Sequence, residues 1–314
     1  MTSVAFTRDD SDAFAALRDG AAERFGLQPG VVEKDYWALE VLRSITEPFD
    51  GVEAIVFKGG TSLSKVYGII ERFSEDIDVI AVLGDDASAN SAKRTLRGLS
   101  ERAAADLGVE YERTAEGRGF LNTRFQYRAD FAVSFLSPGV LLELGSRGGP
   151  EPNQQHPVTS FMAEAAAEID PTSIADFADL QPVIVTALVP ERTLAEKLAF
   201  LHHRATVHDL EALTRGARHL YDVHRILGHG ETTELLDSTT IADLMDDVDE
   251  RSATAGWGYT PRPSDGFAAS PAFHDPSAAA ALAEGFADVR TLVWGVMPTV
   301  DEAIATVIAN ADRM

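Results

Sequence analysis

Apolar positions recur with helical spacing between residues 11 and 45: Phe14 and Leu17, then Val31, Val32, Trp37, Leu39 and Leu42, around a Leu27-Gln28-Pro29-Gly30 break. The pattern then changes. Glu53 to Lys58 is a short apolar run ended by Gly59-Gly60, which predicts a buried strand and its turn. Ser62 to Ile70 returns to helical spacing, with Leu63, Val66 and Ile70 on one side. Asp78 to Leu83 predicts a strand buried on both faces once past its carboxylates, followed by a basic helix over about Ser91 to Leu107. Thr123 to Ala129, Val140 to Gly145 and Val183 to Val189 are further strand segments. From Thr193 onward the strand signal disappears. Thr193-Leu194-Ala195-Glu196 has the form of a capping box, opening a helix to about Arg204. A second helix is expected over roughly Arg215 to Leu227, a long Gly/Pro/Ser/Ala-rich loop over 251 to 276, and helix again over Ala278 to Ile308. There is no internal repeat. The pattern predicts a sheet domain with flanking helices over 1–190 and a helical C-terminal domain over 191–314.

Composition narrows the chemistry. The chain has 314 residues, 45% of them hydrophobic and 25% charged, as in soluble globular proteins. The absence of cysteine excludes disulfides, thiolate metal sites and cysteine nucleophiles. The first residues are too acidic for a signal peptide, and no run is long enough for a membrane span, so a cytoplasmic protein is expected. A formal net charge of −23 disfavours broad nucleic-acid binding. The charge is uneven, however: Arg113, Arg118, Arg124, Arg128 and Arg147 gather early, whereas Asp243, Asp246, Asp247, Asp249 and Glu250 follow late. The arginines fit either a local basic surface for an RNA end or scattered solvated charges.

Two segments carry candidate chemistry. In a strand, Asp76 and Asp78 of Glu75-Asp76-Ile77-Asp78 share one face. Neighbouring carboxylates repel unless a cation lies between them, and Mg²⁺ is commonly bound by one or two carboxylates plus phosphate oxygens. Asp-x-Asp is also a common surface-turn sequence. The second segment is Lys58-Gly59-Gly60-Thr61-Ser62-Leu63-Ser64-Lys65, a glycine turn opening a helix, where backbone N–H groups can approach phosphate. It is not a Walker A loop, because no Gly precedes Lys65 and no Ser or Thr follows it.

Together these segments are more specific. Strand, Gly59-Gly60-Thr61-Ser62-Leu63, helix, Tyr67-Gly68 and Arg72-Phe73-Ser74-Glu75-Asp76-Ile77-Asp78 resemble the AbiEii/AbiGii toxin family, which includes the MenT-type mycobacterial toxins. The likeness extends in order through Val32-Glu33-Lys34-Asp35-Tyr36-Trp37, Leu142 to Gly149, Glu191 to Leu198 and Arg218-His219-Leu220-Tyr221-Asp222. It implies an α+β fold, with a DNA polymerase β-like nucleotidyltransferase core (a mixed sheet with flanking helices) and a helical C-terminal domain. It further implies Mg²⁺ and NTP as cofactor and co-substrate, the 3′ end of tRNA as acceptor, and a separate antitoxin as partner. Rival readings are transfer to a protein hydroxyl or small molecule, or an inactive nucleotide- or partner-binding module.

The resemblance implies nucleotide contacts at Gly59, Gly60, Thr61, Ser62, Lys65 and Ser74. Glu143, whose neighbours Leu142 and Leu144 face the opposite side, is either a third metal ligand beside Asp76 and Asp78 or an edge-strand glutamate in water. Lys197 lies beside the Leu194, Leu198 and Leu201 stripe, toward the buried side. It either snorkels to water or, as the resemblance implies, contacts the triphosphate. Asp222 shares a helix face with Arg218 and Arg225, which a surface ion pair would explain; the resemblance makes it an active-site residue. His202, His203 and His208 match no standard metal-ligand spacing and read as packing or surface residues. Trp257, Tyr259 and Phe267 fit either base stacking or anchoring of their loop.

Overall fold

A computed structural model describes residues 5–84, 87–146, 149–169, 171–237, 241–255 and 259–314. In chain order the strands are β1 (Val52–Lys58), β2 (Asp76–Leu83), β3 (Glu110–Gly117), β4 (Phe120–Gln126), β5 (Val140–Gly145), β6 (Asn153–Val158) and β7 (Val183–Leu188). The early helices are α1 (Ser11–Phe25), α2 (Pro29–Thr46), α3 (Gly59–Lys65), α4 (Ala89–Leu107) and α5 (Phe161–Ile169). Then follow α6 (Pro190–Thr206), α7 (Leu210–Arg215), α8 (Ala217–Leu227), α9 (Gly230–Leu236), α10 (Ile241–Ala255), α11 (Pro271–His274), α12 (Pro276–Leu292) and α13 (Val300–Ala309). The chain divides into two compact units. A sheet unit comprises Met1–Phe57, Glu75–Ser146 and Gln155–Ala187; a helical unit comprises Lys58–Ser74, Arg147–Gln154 and Leu188–Met314. The helical unit thus joins the glycine-turn segment 58–74 to the stretch that begins at Leu188.

The sheet is seven-stranded and mixed, in the order β3-β4-β5-β2-β1-β7-β6, which makes the protein α+β. β2 runs parallel to β5 and β1 parallel to β7, whereas β4 is antiparallel to both β3 and β5. One face is apolar: Ile77, Val79, Leu121, Phe125, Leu142 and Leu144 are buried. Helix α4 lies on that face, where Ser100 Oγ and Thr123 Oγ1 share a buried hydrogen bond of 3.0 Å. A second cluster packs α1, α2 and α5 through Phe14, Val32, Tyr36, Met162 and Leu180. The helical unit has its own core, joining Leu63, Ile69 and Ile70 to Leu194, Leu198, Leu220, Tyr221 and Ile226.

Several boundaries depart from the sequence pattern. Pro29 opens α2 at its first turn rather than lying in a break, as suits a residue with no N–H to satisfy. Helix α6 likewise begins at Pro190, so Thr193 is not an N-cap. The expected capping box is not formed: the Thr193 hydroxyl is buried with no hydrogen-bond partner among the described residues, and Glu196 turns to Lys58 at 3.0 Å. Strands β3 and β6 were not visible in the pattern. They are the two sheet edges, one charged and exposed, the other polar and containing Pro157, as edges that avoid further pairing tend to be. The expected long loop is shortened by α10 and α11, and the last helical stretch is two helices, α12 and α13. No helix among the described residues is long and apolar enough to cross a membrane.

Candidate active site

In the sheet unit, Asp76 opens β2 and Asp78 follows two residues later, so both project to the face opposite Ile77 and Val79. Both are half-buried. In the parallel register Asp78 pairs with Glu143 of β5, which puts Glu143 on the same face beside it. β5 is an internal strand, so Glu143 is not the edge-strand residue of the alternative reading. Its Oε1 accepts a 2.6 Å hydrogen bond from Asn122 Nδ2, the residue opposite it on β4.

Glu75, one residue earlier, is engaged elsewhere. Its carboxylate pairs with the buried Lys34 ammonium of α2 and accepts from the Ser137 backbone N–H at 2.8 Å. Burial lowers the Lys34 pKa, and Glu75 works against that shift. The flanking carboxylates of α2 are occupied as well: Glu33 accepts from the Asp130 N–H and Asp35 from the Phe161 N–H at 2.8 Å. The Val32 to Trp37 motif is therefore a buried polar clamp, one arm of which holds the residue before Asp76.

In the helical unit, α3 begins at Gly59 itself, whose φ of +77° is left-handed backbone that favours glycine. Gly60 follows in close contact: a Cβ there would lie 2.6 Å from Arg72 Nη2 and 2.7 Å from Ser74 Oγ. Thr61 Oγ1 donates to the Ser74 carbonyl at 3.3 Å, tying the turn to the end of the same segment. The buried Ser62 hydroxyl has no hydrogen-bond partner among the described residues. Lys65 ends α3 half-buried.

The centre of this unit is Asp222, fully buried on α8. Its Oδ1 and Oδ2 receive Arg72 Nε and Nη2, both at 2.7 Å, a bidentate pair. Lys197 of α6, itself buried, brings Nζ to 2.7 Å from Asp222 Oδ2 and 3.3 Å from His219 Nδ1. Burial opposes ionisation of Asp222, but Arg72 and Lys197 outweigh it and hold the carboxyl well below its ordinary range. The surface ion pair of the alternative reading, with Arg218 and Arg225, is not found among the described residues: Arg225 pairs with Glu71 at 2.9 Å, and Arg218 is exposed. The reason is burial, since a sealed carboxylate requires sealed partners. Arg72 was thus missed as a site residue; its place in the Arg72-to-Asp78 segment was the available signal.

The remaining candidates sort plainly. His202 bonds Ser270 at 3.0 Å and His203 bonds Thr260 at 2.9 Å, and burial lowers both ring pKa values, as packing residues require. Phe267 is fully buried, and Tyr259 packs on the core with its hydroxyl on Asp249, so both anchor the chain. Trp257, Arg147 and Gly148 lie outside the described residues. Arg113, Arg118 and Arg128 are exposed, while Arg124 donates to the Pro138 carbonyl.

Among the described residues, no cluster of three or more His, Asp or Glu side chains forms a metal cage. Two carboxylates on one strand face are instead the donor set that Mg²⁺ uses when nucleotide phosphates complete its shell. The family model for the nucleotidyl transferase AbiEii toxin of a type IV toxin–antitoxin system matches residues 41–305, and the chain belongs to that family. Membership makes it a nucleotidyltransferase with a nucleotide substrate and an antitoxin partner. No curated protein matches it. Among solved structures it is similar to JHP933 from Helicobacter pylori, at 15% identity and TM-score 0.49, over 91% of this chain and 92% of that one. It is similar also to MenT4, a nucleotidyltransferase toxin from Mycobacterium tuberculosis H37Rv, at 19% identity and TM-score 0.47, over 96% and 88%.

Proposed function

We propose that this enzyme transfers a nucleoside monophosphate from an NTP to the 3′-terminal hydroxyl of tRNA, with Mg²⁺, and so blocks translation until its antitoxin intervenes. The acceptor oxygen attacks the α-phosphorus in line, the bond to the β-phosphate oxygen breaks, and pyrophosphate leaves. Asp76 and Asp78 would hold Mg²⁺, whose contribution there would be Lewis-acid polarisation of the phosphate. Glu143, beside Asp78 in the strand register, receives the hydroxyl proton. Gly59, Gly60, Thr61 and Ser62 hold the terminal phosphates, with Lys65 and Ser74 alongside. Lys197 offsets the charge that develops on pyrophosphate.

The observation that carries this reading is the Lys197 ammonium, fixed at 2.7 Å by a fully buried, ionised Asp222. A lysine meant only to reach water would not be held by a sealed carboxylate that Arg72 also grips. Asp222 is accordingly the orienting residue for Lys197. The cytoplasm is where the acceptor, the NTP and Mg²⁺ are all available.

A second acceptor class follows from the net charge of −23, which disfavours polyanions and suits a protein hydroxyl. Each labelled NTP, incubated with the enzyme and either total tRNA or total protein, separates the two. Label on tRNA with release of pyrophosphate is expected, and Asp78→Ala abolishes it. Label on protein alone would overturn the tRNA acceptor.

A further inference from the structure

We propose that His219 is a positioning residue for Lys197: together with Asp222 it sets the direction of the ammonium. The proposal rests on the reading of Lys197 as the triphosphate contact. His219 lies three residues before Asp222 on α8, so both side chains leave the helix on neighbouring positions. Lys197 Nζ stands 3.3 Å from His219 Nδ1 and 2.7 Å from Asp222 Oδ2, so two side chains of α8 meet one ammonium. The ring is itself fixed. Phe200, three residues after Lys197 on α6, packs against it at 4.5 Å between centroids, inclined by 59°.

The chemistry of this contact determines the proton. An ammonium has donors and no lone pair, so Nδ1 must be the acceptor. The imidazole is therefore neutral and carries its hydrogen on Nε2. The surroundings agree. Burial disfavours a charged ring, and so do the cations facing it: Lys197 from α6, Arg218 from α8 and Arg72 from the segment before β2. Asp222 opposes them, and the net effect keeps the ring well below its ordinary pKa. A histidine that merely filled space would be indifferent to which nitrogen bears hydrogen. This one is useful only as the Nε2–H form.

The test uses the full-length protein labelled with ¹⁵N-histidine, the His219 signals being identified by their loss in His219→Asn. At pH 7 the Nε2–H tautomer is expected, and Lys197→Met shifts both ring nitrogens and raises the apparent pKa. A charged ring, an Nδ1–H tautomer, or signals unmoved by Lys197→Met would overturn the proposal. This readout needs no turnover, so it remains decisive even if the tRNA acceptor is wrong. A kinetic arm, run with each Mg-NTP, covers a Lys197→Met variant that does not fold. His219→Phe keeps the ring packing but loses the acceptor, and is expected to lower kcat/KM for the NTP about ten- to a hundredfold. His219→Asn restores an acceptor near the Nδ1 position and is expected within about threefold of the native enzyme. Native kcat, KM and pH profile in His219→Phe would sink the idea.

Discussion

Two sets of carboxylates in this molecule have the same chemistry and opposite circumstances. Asp222 is sealed in the helical unit, gripped by Arg72 and Lys197, and ionised because those cations outweigh its burial. Asp76 and Asp78 stand half-buried on one face of β2, with Glu143 beside Asp78. A sealed carboxylate stabilises the fold by holding its partners, whereas a half-exposed pair keeps access to solvent-borne ligands. The contrast separates stability from chemistry. Asp222→Ala is expected to cost about 3–5 kcal/mol, because it leaves two buried cations without their anion. Asp78→Ala is expected to stay within about 1 kcal/mol of the native protein. Both should lose nucleotide transfer. Urea unfolding beside a labelled-NTP assay reads the two quantities together, and equal stability losses would break the comparison.

Acid should act on the sealed site in the same sense. The folded pKa of Asp222 is depressed, so its contribution is fully present above the unfolded value of about 3.9 and is lost as pH falls toward the folded value. Stability below about pH 4 should therefore decline more steeply in the native protein than in Asp222→Asn. Thermal melts across that range test this. Parallel acid limbs would mean that Asp222 does not gain its ionisation from folding.

Gly60 lets the comparison be sharpened without touching a charge. A methyl group at this position would meet Arg72 Nη2 at 2.6 Å and Ser74 Oγ at 2.7 Å. Arg72 cannot swing aside without giving up its bidentate hold on Asp222. Gly60→Ala is thus expected to cost about 1–3 kcal/mol and to lower transfer through the displaced Arg72. If the variant is as stable as the native protein, the turn and the buried pair are not coupled in this way.

The sheet site was more legible in the sequence than the helical one, and the reason is range. A period of two places Asp76 and Asp78 on one face and Leu142 and Leu144 opposite Glu143, whatever the strands pair with. Of the five internal strands, β1, β2, β5 and β7 announced themselves by apolar runs and β4 alternates, whereas the edges β3 and β6 carry charge, polar residues and proline instead. Arg72 and Asp222 are 150 residues apart, and nothing local links them. Arg218 and Arg225, on the same helix as Asp222, offered a nearer partner that burial ruled out. The Thr193–Glu196 pair misled in a similar way. Its spacing fits a cap, but Pro190 had already started the helix and Glu196 was needed by Lys58.

The smallest expected effect lies on the sheet side of the comparison. Asp222 is held by cations, whereas Glu143 is held by the neutral amide of Asn122 at 2.6 Å. Losing one hydrogen bond to a half-exposed carboxylate should cost about 1 kcal/mol or less, since water can replace the amide. What Asn122→Ala removes is orientation, so Glu143 becomes free to take rotamers that point away from Asp78. If Glu143 completes the carboxylate set, the Mg²⁺ concentration for half-maximal transfer rises severalfold in Asn122→Ala and further in Glu143→Gln. The fold stays intact in both, and tighter nucleotide binding does not restore the native Mg²⁺ dependence. An unchanged Mg²⁺ dependence in both variants would make Glu143 a residue of the sheet alone, and reduce the metal-binding set to Asp76 and Asp78.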